Sequence, residues 1–186
     1  MEFDDVLKNR RSIREYSKKE VDFFEIASIC ESAVQAPMAG NIYSVRSIIV
    51  SDKQKKIKIA EACHDQEFII DASHIIIVCS DPSQLNRSYE EKGKIYARQQ
   101  AGAAIENMLL KATNFGLATC WIGAFNENEL KRILAVPDNI NIEAIIPVGY
   151  QKGAKTITKK KPELKSTIFF EKWGQKVAKP TRKTAT

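Results

Sequence analysis

The run Ile75-Ile76-Ile77-Val78-Cys79 places five apolar residues side by side, four of them β-branched. Such a run is apolar on both faces when it is extended, which predicts a buried β-strand inside a covered sheet. Segments with helical spacing lie before and after it in the chain. Strands separated by helices predict a layered α/β organisation.

The spacing of apolar residues predicts the remaining elements. Strands are predicted at 45–50, 75–79, 117–122 and 142–148, and helices at 3–8, 53–62, 89–115 and after Asn126. A further helix ends at Pro37, and the pair Ser17 and Glu20 reads as its capping box. Asn126 with Glu129 caps the last helix, and Gly116 ends the longest one. The small residues 101–104 in that longest helix predict the close approach of another backbone.

Composition places the chain among soluble globular proteins, with 44% hydrophobic and 28% charged residues. No apolar run approaches the roughly 18 residues that a membrane-spanning helix needs. The acidic start, Met1-Glu2-Phe3-Asp4-Asp5, lacks the order of a secretory signal. We therefore expect a cytoplasmic protein with no membrane partner.

The net charge of +6 is concentrated at one end of the chain. From Lys152 onward eleven Lys and Arg residues stand against Glu163 and Glu171, so the first 151 residues are slightly acidic. We expect one domain over residues 1–174 and a basic tail over 175–186. This pattern argues against a nucleic-acid partner, because no aromatic residue for base stacking follows Trp173.

The cysteines are widely spaced and there are only two histidines, His64 and His74. No Cys-x-x-Cys pair occurs, which argues against zinc fingers and thioredoxin-type sites. Free, buried thiols and no metal site are therefore expected. The cysteines are Cys30, Cys63, Cys79 and Cys120.

Four short segments could carry chemistry. An extended stretch at 10–14 would project Arg10, Ser12 and Arg14 to one side, and arginine forks suit phosphate oxygens; an exposed basic turn is the alternative. The small-residue loop at 36–41 could admit a planar ligand, or simply end a helix. Backbone N–H groups of residues 116–123 could bind a ring nitrogen of a ligand, although Cys120 and Trp121 could equally be core residues. The lysines 159–161 could reach a phosphate, or lie in solvent.

Together these segments resemble the FMN-dependent nitroreductase family over about residues 3–173. The matching motifs, in order, are Arg10-Arg11-Ser12-Ile13-Arg14, Pro37 with Gly40-Asn41, Asp71-Ala72-Ser73-His74, Gly116-Leu117-Ala118-Thr119-Cys120-Trp121-Ile122-Gly123 and Ile146-Pro147-Val148-Gly149-Tyr150. The resemblance implies an α+β fold of three α/β/α layers with a central mixed, largely antiparallel sheet. It also implies an intertwined homodimer with two FMN molecules in clefts between the subunits.

The resemblance assigns a set of FMN-binding residues to this sequence. They are Arg10, Arg11, Ser12, Arg14, Pro37, Met38, Ala39, Gly40, Asn41, Gln66, Ile122, Gly123, Lys159 and Lys161. Within this set, Arg10, Ser12 and Arg14 would hold the phosphate and ribityl end, completed by Lys159 and Lys161.

The flavin ring would be held by other segments. The loop from Pro37 to Asn41 would come from the other subunit, and the Gly123 N–H would point at flavin N5. Either Asp65 or Gln66 would contact the pyrimidine side. No side chain is expected to be catalytic, since flavin N5 itself exchanges the hydride.

The resemblance implies an enzyme that carries a hydride or electrons from NAD(P)H through FMN to nitroaromatic, quinone or flavin acceptors. A flavin-binding or sensing protein without turnover is the alternative. Three departures from the family pattern bear on the acceptor: Met38 stands where serine is frequent, Tyr43-Ser44 replaces Gln-Pro, and the stretch from Asp81 to Tyr89 is short.

Overall fold

A computed structural model describes residues 1–153 and 162–176. The helices are α1 (Phe3–Asn9), α2 (Phe23–Ser32), α3 (Lys53–Ala62), α4 (Phe68–Asp71), α5 (Ser83–Tyr89), α6 (Lys92–Asn114), α7 (Glu127–Leu134) and α8 (Leu164–Thr167). The strands are β1 (Val45–Val50), β2 (His74–Ser80), β3 (Ala118–Thr119) and β4 (Asn141–Gly149). Two 3₁₀ turns, Ala33–Gln35 and Ala39–Asn41, lie between α2 and β1.

The four strands form one sheet in the order β1-β2-β4-β3. Every pairing between these strands is antiparallel, and the β2–β4 register shifts by a bulge between Val78 and Cys79. A parallel bridge joins Ser12 to Thr119 at the edge. The expected mixed, largely antiparallel sheet is thus confirmed, with its parallel part reduced to this bridge in the described residues.

Helices cover both faces of the sheet, because the side chains of the buried strands alternate between two cores. Ile76 and Val78 of β2 pack in a core with residues of α2 and α6. Their neighbours Ile75 and Ile77 pack in a second core with residues of α3 and α7. The run at 75–79 is therefore buried on both sides, and the three-layer arrangement expected from it is confirmed.

The predicted start of the longest helix is wrong. The stretch 89–115 is broken at Glu90, whose φ of 52° lies in the left-handed region, and it forms the end of α5 followed by α6. The close approach expected at 101–104 lies instead at Gly93, where a Cβ would stand 2.5 Å from the Leu85 carbonyl carbon. At Gly102 a Cβ would meet only the Trp121 ring, 4.0 Å away.

The capping box predicted for the second helix is also wrong. Helix α2 begins six residues after Ser17, and the Asp22 carboxylate accepts from the Phe24 N–H at 2.7 Å as its N-cap. The Ser17 N–H instead donates to the Tyr150 carbonyl at 2.8 Å, which keeps this stretch extended. A long-range hydrogen bond therefore overrides the local signal.

Two other terminus predictions are confirmed. The Asn126 side chain accepts from the Glu129 N–H at 3.2 Å and caps α7. Gly116 follows α6 with a φ of 74°. The strand predicted at 117–122 is shorter, since beyond β3 the chain pairs again only at Ile122, with Ile145.

The four cysteines are free, as predicted, and three are buried. Burial raises the pKa of the Cys63 thiol to about 12 and that of Cys79 to about 11. Within residues 1–153 and 162–176, no group of three His, Cys, Asp or Glu side chains is placed to hold a metal ion. No helix in the same ranges has the length and apolarity to cross a membrane.

The chain divides into two compact units, Met1–Ala154 and Lys155–Thr186. The first contains the whole sheet. In the second, the Phe169 and Trp173 rings are 4.6 Å apart and the Lys176 ammonium lies 4.0 Å from the Phe169 ring. The single domain over 1–174 and the tail over 175–186 stay predictions.

Replacing Gly93 with alanine tests the close contact of α5 and α6. We expect the free energy of unfolding to fall by about 1–3 kcal/mol, because the new methyl group meets the α5 backbone. The matched control is Gly102→Ala on the same helix, where alanine should be neutral or stabilising by up to about 1 kcal/mol. Urea unfolding followed by circular dichroism measures both. Equal stability of the two variants would contradict the contact.

Candidate functional site

Residues 12–17, here called the arm, lie extended across the ends of β3 and β4. The Ile13 N–H donates to the Thr119 carbonyl at 2.8 Å, and the Ser17 N–H donates to the Tyr150 carbonyl at the same distance. These bonds fix the arm at the sheet edge where the parallel bridge forms. The arm therefore behaves as a short additional strand.

Side chains of the arm are divided between core and solvent. Ile13 and Tyr16 are buried, whereas Ser12 and Arg14 are exposed. The Tyr16 hydroxyl donates to the Ile13 carbonyl at 2.9 Å and lies 3.3 Å from the Pro147 carbonyl oxygen. Burial raises the pKa of Tyr16, so the phenol stays protonated. This anchor leaves Ser12 and Arg14 available to a ligand.

Arg10 and Arg11 belong to the end of α1 rather than to the arm. The Arg10 Nε lies 3.5 Å from Glu106 Oε1 on α6. The Arg11 guanidinium donates to the Lys8 carbonyl and, at 2.8 Å, to the Arg10 carbonyl. Arg11 thus bonds with carbonyl groups at the end of α1, a role that the sequence pattern did not reveal.

Ser12 and Arg14 meet the start of the segment that follows β3. Burial raises the pKa of the Cys120 thiol. The neighbouring Arg14 guanidinium and Ser12 hydroxyl lower this pKa, but by less than burial raises it. The Arg14 guanidinium carbon also lies 6.0 Å from the centre of the Phe68 ring at the start of α4. The arm, α4 and residue 120 thus form one cluster.

Gln66 links the same region to the predicted flavin-N5 segment. Its Nε2 donates to the Cys63 carbonyl at 2.7 Å and lies 3.5 Å from the Ala124 carbonyl oxygen. Ala124 follows Gly123, which is exposed and where an added Cβ would meet nothing within 4 Å. Ile122 is held by paired backbone bonds of 3.0 Å to β4. The backbone at Gly123 is therefore open to a ligand beside Gln66.

The predicted loop 37–41 lies against α5 and α6. Gly40 has a φ of 56°, and a Cβ there would collide with the Tyr89 hydroxyl, so this position requires glycine. Tyr89 stacks edge-to-face on Tyr96 at 5.1 Å. The loop meets these helices through the approach of Gly40 to Tyr89 and through a shared cavity, whereas the arm contacts β3 and α4; no described hydrogen bond or ring contact joins the loop to the arm.

A cavity of about 340 Å³ separates the loop from α6. Gln100 lines it with Met38 and Tyr96, and its side chain is 4% exposed. Its Oε1 accepts from the Ser44 hydroxyl at 2.7 Å, and its Nε2 has no partner in the described part of the chain. A buried donor without a partner costs about 1–3 kcal/mol. This amide is therefore poised to donate to a bound group.

The sequence pattern did not point to Phe68, Tyr16 or Gln100. Gln100 had a signal, since it is a polar residue on the small-sided buried face of α6, next to Ala101. Phe68 and Tyr16 gave none, because their roles follow from contacts distant in sequence. The predicted residues Lys159 and Lys161 lie outside the described residues.

Comparisons with known proteins identify the family of the chain. The model of the nitroreductase family matches residues 7–71 and 64–150 of the chain. A protein of Archaeoglobus fulgidus, named as an NADH dehydrogenase/NAD(P)H nitroreductase, is 32% identical over 169 residues. That match covers 88% of this chain and 94% of the relative.

Two further relatives extend the comparison. The FMN reductase (NADPH) of Bacillus subtilis is 27% identical over 179 residues, covering 88% of this chain and 70% of the relative. The crystal structure of a nitroreductase family protein from Clostridium novyi NT superposes with a TM-score of 0.76 at 30% identity, covering 94% of this chain and 96% of that one. The chain therefore belongs to the nitroreductase family.

Proposed function

We propose that Ser12 and Arg14 hold the phosphate and ribityl end of FMN, and that Gly123 and Gln66 face its ring. Membership of the family and its FMN reductase relatives make the chain an NAD(P)H-dependent flavin oxidoreductase with FMN as cofactor. The proposal assigns that cofactor to particular residues. Nitroaromatics, quinones and free flavins are the proposed acceptors.

One observation carries this assignment: the arm presents an exposed serine and an exposed arginine at Cys120, three residues before the open backbone of Gly123. A guanidinium donates in a planar fork that matches phosphate oxygens, and a hydroxyl adds a further donor. The adjacent Phe68 ring restricts the arginine on one side. The donor set therefore fits a phosphorylated flavin.

When bound, FMN would supply the hydride chemistry between NAD(P)H and the acceptor. The residues of this chain would bind and orient the cofactor. Ser12 and Arg14 fix the charged end, while the backbone at Gly123 and the amide of Gln66 border the ring. The cavity beside Gln100 offers a further donor where the loop faces α6.

We propose that the working form is a homodimer in which the loop 37–41 of one subunit meets the arm of the other. Two observations support this. The described contacts place loop and arm on different elements of one chain, and large apolar side chains are exposed, among them Phe24 at 82% and Val34 at 53%. A cytoplasmic location stays a prediction from the sequence.

Removing the Arg14 side chain tests the phosphate contact. Arg14→Ala should weaken FMN binding about tenfold or more, because hydrogen bonds to charged groups contribute about 1.5–3 kcal/mol. Riboflavin, which has no phosphate, should bind both proteins nearly equally. Flavin fluorescence quenching measures both affinities on apoprotein. Arg132→Ala, an exposed arginine of α7, is the control, and unchanged FMN affinity in Arg14→Ala would refute the assignment.

A mixing experiment tests the shared site. Arg14→Ala disables the arm, and Gly40→Val disables the loop through its positive φ and the Tyr89 contact. If each site takes its arm and loop from different subunits, co-refolding equal amounts should restore about a quarter of wild-type NADH–menadione activity, since mixed dimers contain one intact site. Each variant refolded alone is the control. No recovery, in samples shown to contain mixed dimers, would contradict the shared site.

The same assay separates turnover from binding alone. FMN-loaded wild-type protein should oxidise NADH or NADPH steadily when menadione or nitrofurazone is present. A fully loaded protein that shows no turnover with either nucleotide would favour the non-catalytic flavin-binding alternative.

A further inference from the structure

A second cavity, of about 510 Å³, lies where the arm leads toward α2 and where β2 begins. None of its lining residues is among those assigned to FMN. Polar and charged side chains form most of its wall, including Lys56 of α3 and His74 of β2. A ligand of this cavity must therefore be polar and able to bond with these groups.

Lys56 is unusually buried for a lysine, with 9% of its surface exposed. Its ammonium donates to the Ala72 carbonyl at 2.7 Å. No ion pair joins it to a carboxylate within residues 1–153 and 162–176. Burial lowers its pKa, and the nearby Asp71 and Glu20 act against that shift. An ammonium has three N–H donors, so two remain for a ligand in the cavity.

His74 lines the same cavity. The Ser73 hydroxyl accepts from the Val21 N–H at 2.9 Å and lies 3.0 Å from His74 Nδ1. A neutral imidazole that accepts at Nδ1 carries its proton on Nε2. Burial, and then Lys56, lower the pKa of His74, which keeps the ring neutral near pH 7.

The remaining charges of the wall set the charge of the occupant. Lys18, Lys19 and Lys56 line the cavity together with Glu20 and Asp71, and the Lys19 ammonium lies 3.9 Å from the centre of the Tyr150 ring. Cations exceed carboxylates by one, which a single negative charge balances. A strongly charged polyanion would be repelled by the two carboxylates.

We propose that this cavity binds a small oxyanion, a carboxylate or an inorganic phosphate, with Lys56 and the His74 Nε2–H as its donors. The competing interpretation is that Lys56 only caps the end of α4 through Ala72, in which case no anion binds. This proposal does not depend on the flavin assignment, because the residues that line this cavity are different from those assigned to FMN.

The two histidines of the chain allow a direct test by NMR. FMN-loaded wild-type protein, with its flavin site saturated, is titrated with sodium acetate and separately with sodium phosphate, while sodium chloride holds the ionic strength constant. The imidazole signals of His74 should move saturably, with a Kd of about 1 mM or tighter for the preferred anion. Those of the exposed His64 should stay in place. His74→Gln assigns the signals.

The acetate and phosphate titrations distinguish the two kinds of ligand. Saturation by acetate indicates a carboxylate ligand, and saturation by phosphate a phosphate ligand. Lys56→Met should weaken the binding at least about tenfold, whereas Lys58→Met on the exposed face of α3 should not change it. Absence of a saturable His74 shift in the wild-type protein with both anions would overturn the proposal, whether or not the Lys56 variant folds.

Discussion

The backbone hydrogen bonds between the arm and the edge of the sheet are the constraint on which the candidate site depends. Besides the bonds of Ile13 and Ser17, the Lys152 N–H donates to the Glu15 carbonyl at 3.0 Å. Together they hold an otherwise polar stretch extended, with Ser12 and Arg14 turned to solvent and Ile13 between them turned to the core. Without them Arg14 would be one more surface cation. With them it stands beside Phe68 and the end of β3.

Helix α4, only four residues long, stands between the two sites proposed for this chain. At its beginning the Phe68 ring contacts the Arg14 guanidinium, and at its end the Ala72 carbonyl accepts from Lys56. A small shift of this helix would therefore change both the Phe68–Arg14 contact and the Lys56–Ala72 hydrogen bond. A short helix with few bonds of its own relies on such contacts for its position.

Strands and the charged helix were predictable because their signals are local. The apolar runs gave β1 and β2 to within one residue, and 53–62 matches α3. Prediction failed where distant bonds decide, as at Ser17, or where a left-handed residue interrupts a helical pattern, as at Glu90. In the site, the motif pointed to Ser12 and Arg14. It could not show that Arg11 would bond with the end of α1, since that depends on where α1 ends.

The depth at which the thiols lie has a chemical consequence. Oxidants such as peroxide attack thiolates rather than thiols, and only those that they can reach. Cys63, Cys79 and Cys120 are each at most 2% exposed, and burial raises their pKa values. They therefore stay protonated and shielded. The thiols of the core thus resist oxidation to sulfenic acids.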